Sequence, residues 1–435
     1  MRKHITILLI LLISVILATF AKSNQVIKQR NENRILKERW KWASNKSSEF
    51  KDGFWVGYSI VQLMSENSFI GCAGFSKKPS LRTIIKEAIR FNDVEIKSPT
   101  MQKKYTHMKS ARDVDKILKE IAFLFFFEEN PLNLKEIAKI KVSNLELPIN
   151  LSDYPLIWLG VTEQYESVDF LKDTFYKVNK AEVKNDMITA IAIHEDCEQV
   201  MEFLTNVVQS RLSDQLRENA TFWIGQQQSK EALEFLIKTV HTDRSDDVKE
   251  KAVFSISQIE LEAAVDALVE LAQDAKSEKV REEAIFWLGQ KDDEKSLSVL
   301  KKIILNESSQ ELKKKAIFAI SQMQTDDALD VLIDLAKHCK DREIRKNAIF
   351  WLGQKASKFA SQELQNIAYD EGELEIQEAA VFALSQLSED ESVPALIEIA
   401  KDHPRAEIRK KAIFWLGQSE DERALETIVE IIKQK

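Results

Sequence analysis

The chain is poor in the residues on which loop-rich and β-rich proteins depend. It has 10 glycines and 7 prolines in 435 residues, and no proline from Leu156 through Val393. A mostly β or mostly loop protein is therefore excluded. Its three cysteines, Cys72, Cys197 and Cys339, are odd in number and far apart. They fit neither a disulfide framework nor a zinc site with paired ligands, and read as buried free thiols. None of the six histidines forms His-Glu-x-x-His, and there is no Gly-x-Ser-x-Gly or Walker sequence. Positive charge is not in excess: 62 basic residues face 70 acidic ones, a formal net of −8. That balance argues against nucleic acid as a partner, since such binding needs a basic face.

What is present is a folded, charge-laced composition, 44% hydrophobic and 30% charged, in a chain too long for one core. Residues 1–21 have the order of a secretory signal peptide. A basic head, Met1-Arg2-Lys3-His4, precedes an apolar run, and small residues stand at Thr19 and Ala21, either side of Phe20. The uncharged stretch from Ile5 to Phe20 has 16 residues, short of the roughly 20 that a spanning helix prefers. The expectation is cleavage after Ala21, a periplasmic or secreted mature chain, and no stable membrane span. An uncleaved anchor is the competing reading. No cysteine follows the run to carry a lipid, and export removes access to ATP and nucleotide cofactors.

Residues 22–52 are polar, with Trp40 and Trp42, and read as a linker or marginal helix. Residues 53–150 read as a small α+β module. Phe54 to Val61 and Ser68 to Cys72, around Ser65-Glu66-Asn67, suggest a β-hairpin. Asp113 to Glu120 looks helical, Ala122 to Phe127 looks like a buried strand, and Ile137 to Leu147 like another. Cys72, between Gly71 and Gly74, reads as a packed strand residue.

From about 151 to 435 the pattern changes. Ala220-Thr-Phe-Trp-Ile-Gly-Gln226 recurs with its alanine at Ala252, Ala284, Ala316, Ala348, Ala380 and Ala412, always 32 residues on. Each copy follows a charged lead and precedes an acidic turn and a second apolar-periodic stretch. Two helices per 32 residues predict an all-α solenoid. Weaker echoes at Ile157-Trp158-Leu159-Gly160 and around Met187 to Ile193 extend it to about nine helix pairs.

This pattern resembles HEAT repeats of the phycobilisome-lyase type, and the Phe-Trp-Leu-Gly-Gln variant behind an exported leader resembles exported bacterial HEAT-repeat proteins. The resemblance implies a right-handed α-α superhelix, an α-solenoid that binds other proteins, not a reaction. A lyase-like enzyme or assembly factor, attaching a bilin, is the alternative it raises; export argues against that cytoplasmic chemistry. His194-Glu195 resembles the His-Glu pairs of HEAT-repeat hydroxylases that hold a di-iron centre. Those need several pairs, and this single one reads as a solvated helix start. No metal, cofactor or catalytic residue is expected.

A two-fold alternation overlies the period. Trp223, Trp287, Trp351 and Trp415 alternate with Ser255, Ala319 and Ala383, while Gly225, Gly289, Gly353 and Gly417 alternate with Ser257, Ser321 and Ser385. The expected reason is large-against-small packing, with each indole in the core beside a trimmed neighbour. On a helical wheel zeroed at Ile408, Ala412 falls at about 40° and Trp415 at about 340°, whereas Phe414 lands at about 240°, away from the core. Phe222, Phe254, Phe286, Phe318, Phe350, Phe382 and Phe414 all hold that position. They are the candidate protein-binding residues, a row of roughly 50–60 Å; packing between repeats is the competing reading. No polar helix follows Ile428, Val429, Ile431 and Ile432, so the last repeat is a candidate for self-association.

Overall fold

The computed structural model describes residues 26–28, 34–46, 49–50, 52–71, 79–90, 116–129, 135–195, 198–355, 358–370 and 372–433. The leader, Cys72, Cys197, His4 and His107 lie outside them. The chain divides into two compact units, Met1–Trp223 and Ile224–Lys435.

The first unit opens on a five-stranded sheet with β1 (Val26–Lys28), β2 (Phe54–Ser65), β3 (Lys116–Glu129), β4 (Lys135–Asn144) and β5 (Leu156–Val161). The order is β1-β5-β2-β3-β4. β3 is antiparallel to both β2 and β4, whereas β5 runs parallel to β1 and β2. Helix α2 (Leu81–Arg90) covers one face, where Leu81 and Ile85 join Trp55, Leu124, Leu156 and Trp158 in a core cluster. On the other face Trp40, from α1 (Leu36–Asn45), lies 5.0 Å from the Phe125 ring and 4.4 Å from Phe170. With both faces covered, successive residues in the middle of β3, Ile121 to Phe127, are apolar rather than alternating. Gly57 is required by a close approach: a Cβ there would meet Leu124 at 2.5 Å and Trp158 at 3.1 Å. Buried Arg39 fastens α1 to the end of β5, donating to the carbonyls of Leu159 and Val161 at 2.7 and 2.9 Å.

Several local expectations are corrected here. β2 does not turn back at Ser65 to pair with the described residues 68–71; its partners are β3 and β5. The described part of the segment expected to be helical, Lys116–Glu120, belongs to strand β3, because cross-strand pairing of Lys116 with Ser65 through Phe127 with Phe54 overrides local propensity. The sheet also reaches past residue 150. Ile157-Trp158-Leu159-Gly160 is not a helical echo of the repeat but strand β5, and β1 lies within the expected linker.

Four helices complete this unit: α3 (Gln164–Phe175), α4 (Ala181–Ala192), α5 (Glu198–Gln209) and α6 (Asp214–Gly225), the division between units falling within α6. The second unit continues with α7 (Lys230–Thr242), α8 (Asp246–Ser257), α9 (Glu262–Asp274), α10 (Glu278–Gly289), α11 (Glu294–Asn306), α12 (Gln310–Gln322) and α13 (Asp326–His338). It ends with α14 (Arg342–Gln354), α15 (Lys358–Asp370), α16 (Leu374–Ser385), α17 (Glu389–Asp402), α18 (Ala406–Leu416) and α19 (Glu422–Lys433). The even-numbered helices carry the Ala-x-Phe segment. Their alanines from Ala252 to Ala412 are fully buried, together with the aliphatic residue one turn earlier, as in Val280, Ile344 and Ile408. Side-chain caps start several helices: Ser229, Asp293, Ser309, Thr325 and Asp341 each accept from a backbone N–H of the first turn. Cys339, expected to be buried, is half-buried and free at the end of α13.

Candidate interaction surface

In the second unit the two-residue alternation has a packing cause different from the expected one. The trimmed position of a serine copy meets a glycine, not an indole. A Cβ on Gly289 would come within 2.8 Å of the Ala319 Cβ, and one on Gly353 within 3.0 Å of the Ala383 Cβ; Gly225 and Ser255 repeat the relation at 2.8 Å. The helix of each tryptophan copy thus approaches the next helix closely through Gly against Ala or Ser. Across the other junction, from serine copy to tryptophan copy, the indole fills the gap. Trp287 packs on Phe254 at 5.1 Å, Trp351 on Phe318 at 5.0 Å and Trp415 on Phe382 at 5.4 Å.

The tryptophans therefore do not sit in the core. All four are half-buried and lie on the same side as the phenylalanines. Each phenylalanine of a tryptophan copy also meets its own indole edge-on, at 5.0 Å for Phe286, 5.1 Å for Phe350 and 5.0 Å for Phe414. Phe286 further stacks with Phe318 at 6.4 Å. Phe254, Phe286, Phe318 and Phe382 are half-buried, Phe350 is 39% exposed and Phe414 56%. Phe222, in the first unit, is half-buried and edge-on to Trp223 at 5.3 Å. None of the seven candidate rings is in the core. The serines at the glycine position have a local role: Ser257, Ser321 and Ser385 donate to the carbonyls of Phe254, Phe318 and Phe382 at 2.6–2.7 Å.

Two grooves open along this strip. One, of about 410 Å³, is lined by Phe382, Phe414, Trp415, Lys346, Glu378 and Lys411 among others; a second, of about 500 Å³, lies between α8, α10 and α12. A hollow of about 490 Å³ in the first unit has Trp40, Phe127 and Phe170 on its wall and lysines on its rim. Lys37 pairs there with Asp173 at 2.7 Å, and Lys180 with Glu128 and Glu136 at 2.9 Å. Hydrogen bonds to these carboxylates raise both ammonium pKa values, so both amines stay protonated and are poor nucleophiles.

Two features escaped the sequence reading. Arg217, Arg281 and Arg345 recur every 64 residues and reach back nine residues to the carbonyls of Val208, Ala272 and Ala336 at 2.8–3.1 Å, tying the end of one helix to the next. The signal was visible: arginine stands three residues before the alanine in every tryptophan copy, and never in a serine copy. The second is His194, which is not a solvated helix-start residue. It is fully buried after α4; its Nε2 lies 2.8 Å from Ser167 Oγ, which lies 2.9 Å from the Tyr58 hydroxyl. Burial lowers its pKa to about 4. His194 stands where later copies have glutamine, which is the signal that sequence reasoning could have used. Among the described residues, no group of three or more His, Cys, Asp or Glu is placed to hold a metal ion, and no helix is long and apolar enough to cross a membrane.

The family model described as HEAT repeats matches residues 201–286, 275–353, 338–409 and 361–435, together more than half of the chain. This chain belongs to the HEAT-repeat family. Among solved structures, human deoxyhypusine hydroxylase is 17% identical to this HEAT-repeat chain, covering 61% of it and 97% of its own length, with a TM-score of 0.26. The CpcE–CpcF complex of phycocyanin lyase from a Nostoc species is 15% identical over 54% of this chain and 95% of its own, at a TM-score of 0.28. Kap121p is 14% identical over 62% of this chain and 33% of its own, at 0.36. No match was found among curated proteins. The HEAT-repeat array itself is a fold used mainly to bind proteins.

Proposed function

We propose that this HEAT-repeat chain is an exported, non-enzymatic scaffold that captures protein partners on the phenylalanine–tryptophan strip. The observation that carries the reading is the strip of the second unit: six phenylalanines, Phe254 to Phe414, at one position of the repeat, none in the core, with Phe350 and Phe414 open to solvent. Contiguous aromatic surface of this kind is costly to leave in water and is characteristic of binding sites. The test is capture from an envelope extract by the mature chain and by the double variant Phe350→Ser/Phe414→Ser. Lost capture at an unchanged melting temperature supports the strip; unchanged capture overturns it.

Export rests on the order of charges and apolar residues in Met1 to Ala21. N-terminal sequencing that finds Lys22 first in a periplasmic or secreted fraction supports it, and intact Met1 in a soluble cytoplasmic fraction overturns it. Self-association through the last repeat draws on Leu425, Val429 and Ile432, which are 40–67% exposed on α19. A Leu425→Asp/Ile432→Asp variant sedimenting like the wild type at high concentration would remove that part. The lyase-type alternative draws on the hollow in the first unit, but its paired, protonated lysines are poor nucleophiles. The Tyr58–Ser167–His194 chain has no exposed member, so it supports packing rather than chemistry.

A further inference from the structure

The groove between α8, α10 and α12 differs from its neighbour in charge. Its walls are Phe286, Trp287 and Phe318, and its rim holds Glu250, Glu282, Glu283, Lys279 and Lys315. Lys279 takes Glu250 at 3.8 Å and Lys315 takes Glu282 at 3.1 Å; Glu283 has no ion pair within 4 Å among the described residues and feels Lys315 only from farther off. Glu283 instead accepts a hydrogen bond from Trp287 Nε1 at 3.1 Å. The other groove is balanced, with Lys346 facing Glu375 at 3.9 Å and Lys411 facing Glu378 at 3.7 Å. One groove on the strip therefore combines three aromatic rings with three carboxylates against two ammonium groups, and the other combines its rings with no net charge.

We propose that the groove at Glu283 and Trp287 receives an arginine side chain of the partner polypeptide. The proposal rests on the scaffold reading above and names what one groove selects. A guanidinium is flat, weakly hydrated and permanently charged, so it stacks on an indole while its N–H groups reach a carboxylate beside it. Glu283 lies one helical turn before Trp287, which places the carboxylate at the edge of the same ring. Burial and the neighbouring Glu250 and Glu282 already raise the Glu283 pKa, the condition that an arriving cation relieves. A neutral side chain of the same shape would have only the rings.

The test uses the full chain and two short peptides, acetyl-Gly-Arg-Gly-amide and the same peptide with citrulline, which keeps the shape and removes the charge. Binding is followed by the indole N–H resonance of Trp287, because the hydrogen bond it donates to Glu283 must rearrange. The arginine peptide is expected to bind at least ten-fold more tightly than the citrulline peptide and to shift that resonance. Glu283→Gln is expected to abolish the preference, while Glu378→Gln in the balanced groove leaves it intact. Equal binding of the two peptides, no shift at Trp287, or a preference that survives Glu283→Gln would overturn the proposal. None of these outcomes changes whether Phe350→Ser/Phe414→Ser loses the partner, so the two readings fail separately.

Discussion

Gly289 packs against the backbone of Ala319 in the next repeat: a Cβ added to the glycine would sit 2.7 Å from the alanine carbonyl oxygen and 2.8 Å from its Cβ. Neither atom is the end of a flexible chain, so the backbones themselves must move apart. Gly289→Ala should therefore destabilise the array by about 1–3 kcal/mol, although alanine is the better helix former by about 1 kcal/mol. Gly417→Ala is the opposite case, since its nearest neighbours are at 3.4 Å or beyond. It should be neutral or stabilise by up to about 1 kcal/mol. Urea unfolding of the two variants checks the contrast, and equal effects would remove the packing account of the 64-residue unit.

The phenylalanines divide by environment. Phe318 is half-buried between Phe286 and Trp351, whereas Phe350 is 39% exposed and touches its own Trp351. Phe318→Ser should cost roughly 2–3 kcal/mol, and Phe350→Ser no more than about 1 kcal/mol. Thermal melts of the single variants measure the difference.

His194 predicts an acid sensitivity. Its folded pKa, about 4, lies below the ordinary value of 6.5 because burial disfavours the imidazolium. The folded state thus prefers the neutral ring. That stability is complete above about pH 6.5 and is lost as the pH falls toward 4, on the order of 3 kcal/mol. Unfolding free energy measured from pH 7 to 4 should fall in the wild type and fall less in His194→Gln.

Arg281 and Glu307 form a second acid-sensitive contact at lower pH. Their ion pair, with backbone N–H donors from Ser308 and Ser309, lowers the Glu307 pKa to about 2. A depressed carboxylate stabilises the fold above its ordinary value near 4.5, and that contribution disappears as the pH falls through 2. Glu307→Gln should remove about 1–3 kcal/mol at neutral pH and flatten the pH dependence of stability below about pH 4.5. Arg281→Lys should also destabilise, because lysine cannot hold Glu307 and the Ala272 carbonyl together.

The 32-residue recurrence of Ala252 to Ala412 was sufficient to read the helix pairs, because residues 3 and 4 apart on a helix share a face and each copy repeats the same local code. It also placed the phenylalanines off the core. It misplaced the tryptophans: the wheel put Trp415 near the core, yet the gap it fills lies at the edge of the packed face, against Phe382 of the preceding copy. Gly against Ala and Trp over Phe are two alternating spacings between helices, and a wheel drawn for one helix contains neither.

In the first unit the apolar run Ala122 to Phe127 identified a buried strand, because six successive apolar residues need both faces covered. Its neighbours could not be read. β5 inserts beside β2 from about 100 residues away, and Ile157-Trp158-Leu159-Gly160 imitates the repeat while its Ile157 and Trp158 pair with Val56 and Gly57. His194 meets Ser167 across 27 residues, and Ser167 meets Tyr58 across 109. The sequence by itself determined the repeat, its two-copy alternation and the side on which the phenylalanine rings stand, because these follow from local helical geometry. Only the tertiary structure decided the sheet, the buried histidine and the unequal charge of the two grooves, because each depends on contacts between segments that no local pattern brings together.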